Sequence, residues 1–216
     1  MSRVRVKICG ITSLKDLKTA VEAGTDAVGM VVDVSQSPRN VSITQAKKLI
    51  EATPVFIDTV AVTIPENVAY LMKIYKELNP SFIQVHGLEN SLGEIREKLS
   101  DAHLIGGIQV KSGLDIDYVV KITNYFDAIL LDSFVPGKKG GSGVTHDWEI
   151  SKRIKEAIHP KPLILAGGLT PQNIKTAINT VKPYAVDVSS GVEASPGIKD
   201  RTKVIEFIKN AKEVEI

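Results

Sequence analysis

The amino-acid sequence predicts an α/β protein that folds as a closed (β/α)8 barrel, the TIM-barrel class. Short β-rich runs recur along the chain, a segment with helical periodicity follows each run, and eight such units fill the 216 residues at about 27 residues each. No linker or low-complexity tract separates the units, so we expect one domain over residues 1–216. An open doubly wound sheet is the alternative, but its Gly-rich dinucleotide fingerprint is missing after the first strand.

The strand ends should carry the functional groups, because the active sites of such barrels form at the C-terminal ends of their strands. Alternation of side chains along a strand predicts that Lys7 and Cys9 point into the barrel, while Val6 and Ile8 pack on helices. By the same rule Gln84, His86, Asp132 and Asp187 should face the barrel mouth. The predicted strands are Val4–Cys9, Ala27–Val32, Val55–Val62, Ser81–His86, His103–Val110, Ala128–Asp132, Pro162–Ala166 and Ala185–Ser189.

Capping signals place several of the helices. Ser42 and Gln45 have the spacing of a capping box, Thr170 and Pro171 have the pattern of an N-cap and a first-turn proline, and Gly24 lies where the first helix should end. The predicted helices begin near Ser13, Ser42, Pro65, Ser91, Ser112, Asp147, Pro171 and Asp200.

Composition restricts the class of protein. The chain has 43% apolar and 24% charged residues, as soluble globular proteins do, and its net charge of +2 is too small to indicate a nucleic-acid or membrane partner. A single cysteine excludes an internal disulfide and fits a reducing compartment. We find no signal-peptide pattern and no membrane-spanning stretch, and we therefore expect a cytoplasmic protein.

Cys9 and Asp132 are the candidate acid–base pair. A lone cysteine is more often a small buried hydrophobe, but Cys9 ends a strand just before Gly10 and a helix start, where a helix N-terminus can lower the pKa of a thiol. Asp132 ends an apolar run, and burying a carboxylate there is costly without a role. No set of His, Cys, Asp and Glu residues has metal-ligand spacing, so we expect no metal.

Three glycine-rich segments follow the sixth, seventh and eighth strands and predict a phosphate site, because barrels often bind phosphate with their last loops. They are Gly140–Gly143, Ala166–Leu169 and Ser189–Val192. Arg39, in the loop after the second strand, could form a bidentate contact with a carboxylate. The alternative readings are tight turns and a solvated loop arginine.

These residues together resemble the phosphoribosylanthranilate isomerase family of tryptophan biosynthesis, over essentially the whole chain. The matching motifs are KICGIT at 7–12, SPR at 37–39, QVHG at 84–87, LLDS at 130–133, GGSG at 140–143, LAGGL at 165–169, VDVSSGVE at 186–193 and SPGIKD at 195–200. The resemblance implies a (β/α)8 barrel and a cofactor-free Amadori rearrangement of a phosphosugar, a step in making an aromatic amino acid.

The resemblance also implies roles for individual residues. Cys9 would be the general base, Asp132 the general acid, and Arg39 the partner of the anthranilate carboxylate. The phosphate would be held by Gly141, Gly143, Gly167, Gly168, Ser190 and Gly191, and the second layer would contain Lys7, Gln84, His86 and Asp187. The alternatives are another phosphate-binding barrel enzyme of tryptophan or histidine biosynthesis, or a non-catalytic phosphosugar-binding module. Either a monomer or a homodimer is consistent with the sequence.

Overall fold

The computed structural model describes residues 3–87, 89–111, 113–133 and 147–215, and it confirms the closed parallel barrel. The barrel strands are β1 Arg5–Cys9, β2 Ala27–Val32, β3 Asp58–Thr63, β4 Phe82–His86, β5 Leu104–Val110, β6 Ala128–Ser133, β7 Leu163–Leu165 and β8 Ala185–Val188. Neighbouring strands pair in chain order, and β1 pairs with both β2 and β8, which closes the sheet.

A ring of helices surrounds the barrel, and α8 contacts both α1 and α7 so that the ring also closes. The helices are α1 Leu14–Glu22, α2 Ile43–Glu51, α3 Val68–Leu78, α4 Leu92–Lys98, α5 Ile116–Ile122, α6 Trp148–Ile158, α7 Ile174–Val181 and α8 Arg201–Lys212. In the part of the chain that the structure describes, none of them has the length and apolar character that crossing a membrane requires.

The predicted start of α1 and the predicted cap of α2 are confirmed. The Ser13 hydroxyl accepts a hydrogen bond from the backbone N–H of Asp16, and the Ser42 hydroxyl accepts one from the N–H of Gln45. Only this half of the predicted capping box forms, because the Gln45 side-chain amide donates instead to the carbonyl of Thr12. This bond ties the start of α2 to the loop that follows β1.

The start of α7 differs from the sequence prediction. It begins at Ile174 and not near Pro171, because the Asn173 side chain closes a turn ahead of the helix. Its carbonyl oxygen accepts from the N–H of Thr170, and its amide donates to the carbonyl of Gly168. The turn extends the glycine loop after β7 by about one helical turn.

Three other elements begin later than the sequence predicts. Helix α3 begins at Val68 and not near Pro65, because Asn67 is its N-cap and accepts from the N–H of Tyr70. Strand β3 begins at Asp58 and not at Val55, because the preceding residues form a turn closed by the N–H of Ile57. Similarly, α5 begins at Ile116 behind its N-cap Asp115 and not near Ser112, which lies outside the described residues.

The core has two layers, as the alternation of side chains predicts. Ile8 and Leu131 belong to the apolar layer between the barrel and its helices, whereas Cys9 and Leu130 belong to the layer that fills the barrel interior. The inward-facing side chains at the ends of the strands therefore stand above a packed apolar floor. This arrangement collects the polar strand-end residues at one opening.

Candidate functional site

A cavity of about 990 Å³ opens at the C-terminal mouth of the barrel. Such a volume suits a small organic molecule. Lys7 lies just beneath the cavity, and Gly141 and Gly143 lie outside the described residues. The other residues proposed from the sequence all line it: Cys9, Arg39, Gln84, His86, Asp132, Gly167, Gly168, Asp187, Ser190 and Gly191.

Cys9 ends β1 and is 7% exposed at the base of the cavity. Strand β2 places Gly29 beside it, and a Cβ atom on this glycine would lie only 2.9 Å from the Cys9 Sγ. Burial raises the pKa of the Cys9 thiol, although the ammonium group of Lys7 opposes the rise. The expectation that the nearby helix start favours the thiolate is thus wrong for the free protein, because desolvation inside the barrel outweighs it.

Asp132, the penultimate residue of β6, faces the same cavity and is partly buried. Burial raises the pKa of its carboxyl group to about 6, and the negative charge of Asp187 adds to the rise. A carboxyl group with this pKa keeps a protonated fraction near neutral pH, which is what a general acid requires.

Lys7 and Asp187 form an ion pair at the seam where β1 meets β8. Lys7 and Asp187 lie opposite each other in the parallel ladder between these strands, and the Lys7 Nζ lies 3.2 Å from the Asp187 Oδ1. The same Nζ donates to the Gln84 side-chain oxygen at 2.8 Å. Burial disfavours the ammonium form, but the charges of Asp187 and Cys9 outweigh it and raise the pKa of Lys7. Lys7 therefore remains a cation among the groups below the cavity.

His86 extends this network across β4. Its Nε2 lies 2.8 Å from the Gln84 Nε2, and the absence of a side chain on Gly107 leaves room for the ring. Burial and, to a smaller extent, the positive charge of Lys7 lower the pKa of His86 to about 4. The imidazole is therefore neutral at physiological pH.

Arg39 is a buried member of an ion cluster and not a solvated loop residue. Its Nε donates to the Glu193 Oε1 at 2.8 Å and its Nη2 to the Glu193 Oε2 at 2.7 Å. The Lys199 Nζ donates to the same Oε1 at 2.9 Å. Sequence reasoning missed Glu193 and Lys199 as functional candidates, although both belong to the motifs VDVSSGVE and SPGIKD.

The glycine loops after β7 and β8 lie side by side. Gly167 has a φ of +85°, and a Cβ atom there would collide with Ser133. A Cβ atom on Gly191 would collide with the carbonyl group of Leu169, so the two loops touch. Residues Ser190–Val192 form a single 3-10 turn after β8. Close packing of glycine backbone exposes N–H groups that can bind an anion such as phosphate.

Comparison with known proteins identifies close relatives over the whole chain. A family model described as N-(5'-phosphoribosyl)anthranilate (PRA) isomerase matches residues 6–210. The N-(5'-phosphoribosyl)anthranilate isomerase of Geobacter sulfurreducens is 44% identical over 210 residues, which are 97% of this chain and 98% of the relative.

Solved structures agree with the sequence comparison. A phosphoribosyl anthranilate isomerase in complex with reduced 1-(o-carboxyphenylamino)-1-deoxyribulose 5-phosphate is 36% identical, with a TM-score of 0.84 over 98% of this chain and 100% of the other. A structure of monomers generated from the dimeric phosphoribosylanthranilate isomerase of Thermotoga maritima is 34% identical, with a TM-score of 0.84 over 98% and 100% of the two chains.

Proposed function

The chain belongs to the N-(5'-phosphoribosyl)anthranilate isomerase family, and we propose how its barrel mouth performs that family's step of tryptophan biosynthesis. The reaction is the Amadori rearrangement of N-(5'-phosphoribosyl)anthranilate to 1-(2-carboxyphenylamino)-1-deoxyribulose 5-phosphate. The observation that supports the assignment most is that Cys9 and Asp132 lie at the C-terminal ends of two strands of one barrel and line one cavity. An aldose–ketose isomerisation needs one acid and one base in such an arrangement.

Asp132 is the proposed general acid. Its proton goes to the ring oxygen of the ribose, the bond from this oxygen to C1′ breaks, and the anthranilate nitrogen supplies the electron pair that forms a Schiff base. Because burial raises the pKa of Asp132 to about 6, part of the population holds this proton near neutral pH.

Cys9 is the proposed general base. The positive charge of the Schiff base acidifies the C2′ proton, the Cys9 thiolate removes it, and the electron pair of the C–H bond neutralises the Schiff base nitrogen. The resulting enolamine tautomerises to the ketone. These steps move protons within one substrate, so the proposed mechanism needs no cofactor and no metal.

The two charged ends of the substrate match two parts of the mouth. The glycine loops at Gly167, Gly168, Ser190 and Gly191 are proposed to bind the phosphate, mainly through backbone N–H groups. The guanidinium group of Arg39 is proposed to bind the anthranilate carboxylate. Lys7, Gln84, His86 and Asp187 are proposed to hold the catalytic pair from below.

The proposal is tested by a turnover assay with freshly prepared N-(5'-phosphoribosyl)anthranilate. Wild type should convert it, and Cys9→Ser and Asp132→Asn should each lower kcat by about 10²–10⁴-fold, the usual contribution of a positioned acid or base. A wild-type protein without turnover would refute the activity. Near-native turnover in either variant would refute the role of that residue and leave the activity standing.

We propose a homodimer as the assembly and the cytoplasm as the compartment. The loop before β3 lies at the barrel end opposite the cavity and exposes Val55 by 81% and Phe56 by 100%. A fully exposed aromatic side chain beside another apolar one is typical of a surface that a partner covers. Sedimentation should give one species of twice the 23.4 kDa chain mass, and a monomer at micromolar concentration would contradict this assembly.

A further inference from the structure

The orientation of Arg39 depends on a hairpin that follows β8. The strands Glu193–Ser195 and Ile198–Lys199 pair antiparallel, and Glu193 and Lys199 are register partners in this ladder. The hairpin is anchored on one side by Lys203, whose Nζ donates to the Glu193 carbonyl at 2.9 Å. On the other side the Thr12 hydroxyl donates to the carbonyl of Gly197 at 2.7 Å.

Glu193 occupies one edge of the Arg39 guanidinium group. The two bonds use the Nε hydrogen and one Nη2 hydrogen, which together form the side edge of the planar fork. The end edge, formed by Nη1 and the second Nη2 hydrogen, has the same spacing and suits a second carboxylate. The two bonds to Glu193 therefore fix the plane of the guanidinium group. A carboxylate that binds at the end edge must lie in this same plane.

Lys199 sets the charge of the cluster. Its side chain is 0% exposed, and its Nζ donates to the Glu193 Oε1 at 2.9 Å and to the carbonyl of Ser189 at 3.2 Å. Arg39 and Glu193 alone would be a neutral pair that attracts an anion weakly. Burial lowers the pKa of Lys199, and the adjacent Glu193 carboxylate opposes this effect. With Lys199 charged, these three side chains have two positive charges and one negative, and their net charge of about +1 attracts a carboxylate.

We propose that Glu193 and Lys199 are positioning residues for substrate recognition by Arg39. Glu193 fixes the plane of the guanidinium group, and Lys199 cancels the charge that Glu193 would otherwise place beside the substrate carboxylate. This inference rests on the proposed carboxylate-binding role of Arg39. It assigns a function to two motif residues that neither contact the reacting atoms nor belong to the acid–base pair.

The backbone near the cluster supports a precise placement. Gly10 follows the catalytic Cys9 with a φ of +74°, and a Cβ atom there would lie 2.8 Å from the Arg39 Cδ and 2.8 Å from the Ser189 Oγ. The Arg39 stem therefore passes directly over the backbone beside Cys9. A small displacement of the guanidinium group would move the anthranilate end of the substrate relative to the base.

The experiment measures affinity with two probes by titration calorimetry. One probe is the product analogue reduced 1-(o-carboxyphenylamino)-1-deoxyribulose 5-phosphate. The other is the corresponding phenylamino compound, made from aniline, which lacks the carboxylate and is called the aniline probe. Glu193→Gln removes a negative charge that disfavours the carboxylate probe, but it also releases the plane of the Arg39 guanidinium group. The loss of orientation should dominate, so the variant should weaken the first probe by about 10–100-fold and the second by less than about twofold. Equal weakening of both probes, or no weakening, would overturn the proposal.

A double-variant cycle separates positioning from a structural role. If Glu193 acts through Arg39, adding Glu193→Gln to Arg39→Ala should not weaken the carboxylate probe further. If Glu193→Gln weakened the carboxylate probe as much in the Arg39→Ala background as it does in the wild-type protein, the proposal would be overturned. Glu22→Gln is the matched control, because Glu22 forms an ion pair with Arg201 on the surface and should change neither probe.

Lys199→Met provides an independent arm if Glu193→Gln does not fold. It should weaken the carboxylate probe by about 10-fold, reduce the salt dependence of its binding and spare the aniline probe. Unchanged affinity and salt dependence would overturn the charge argument. Wild-type turnover of N-(5'-phosphoribosyl)anthranilate is measured in parallel, so that a failure of the activity is distinguished from a failure of the positioning role.

Discussion

Replacing Asp132 with asparagine should stabilise the folded protein at alkaline pH while it removes the proposed general acid. Burial raises the pKa of Asp132 from 3.8 to about 6, mainly because the carboxylate loses its hydration. Between these values the folded protein binds more protons at this site than the unfolded chain does. The free energy of unfolding therefore falls as the pH rises from about 4 to about 6, and it stays lower at higher pH.

The size of the effect follows from this rise. A rise of roughly two pH units corresponds to about 3 kcal/mol, at about 1.4 kcal/mol for each unit. A neutral amide of similar shape avoids this penalty, so Asp132→Asn should raise the free energy of unfolding by up to about 3 kcal/mol at pH 8. For a chain of 216 residues this corresponds to a Tm increase of about 6–12 °C.

Urea unfolding followed by circular dichroism at pH 8 and pH 4.5 tests this reasoning. At pH 4.5 most of the wild-type carboxyl is protonated in the folded protein, so the advantage of the variant should shrink to about 1 kcal/mol. Asp101→Asn, which changes an exposed aspartate, is the control and should have little effect at either pH. A variant that is less stable than wild type at pH 8, or an advantage independent of pH, would refute desolvation as the cause.

Two further predictions concern Cys9, at the end of β1, and Gly10, in the loop that follows it. Cys9 is the only cysteine of the chain, and burial raises its pKa. Its alkylation by iodoacetamide, followed by intact mass, should therefore be slow at pH 7 and still accelerate above pH 9. A rate that levels off below pH 8 would contradict the raised pKa. Gly10→Ala should raise KM at least about 10-fold, because the added Cβ atom meets Arg39 and Ser189. Gly24→Ala is the control. Gly24 also has a positive φ, of +85°, but nothing lies within 4 Å of the added Cβ atom, so this variant should only lower the free energy of unfolding by about 1–2 kcal/mol. Equal KM values in these two variants would show that the contact with Arg39 has no part in binding.

The barrel and most of its mouth could be predicted because they depend on short periods in the sequence. Alternation along β1 is sufficient to place Lys7 and Cys9 inside the barrel and Ile8 outside, and the same rule places Asp132 and Asp187. These predictions need only the position of a strand end. Errors of a few residues at strand and helix starts do not change which side chains face the mouth.

The Arg39 cluster could not be predicted, because its partners are distant in the sequence. Glu193 is 154 residues from Arg39, and no local periodicity reports their contact. The hairpin that presents Glu193 and Lys199 also falls outside the regular alternation of strands and helices. Its motif letters were part of the family resemblance, but they acquire a physical role only when the barrel closes and brings β8 beside β1.

The raised pKa of Cys9 could not be predicted for a related reason. The rule that a helix start favours thiolate is local, and here α1 begins only at Leu14, after the N-cap Ser13. Burial is a property of the closed barrel, and it acts on Cys9 directly. The sequence places a helix start near Cys9, but it does not show that the other strands of the closed barrel remove hydration from the thiol.

The same burial links the two proposed catalytic groups through a single proton. The proposed mechanism needs Cys9 as thiolate and Asp132 as acid, whereas a raised thiol pKa and a carboxyl pKa of about 6 favour the opposite arrangement at neutral pH. The two arrangements have the same net charge, so their ratio does not depend on pH between the two pKa values. That ratio depends on the difference between the two pKa values. Burial makes this difference smaller by raising the carboxyl pKa of Asp132. The positive charge of Lys7 also makes it smaller, because it favours the thiolate and so opposes the rise in the Cys9 pKa, and the ion pair with Asp187 holds Lys7 in that position.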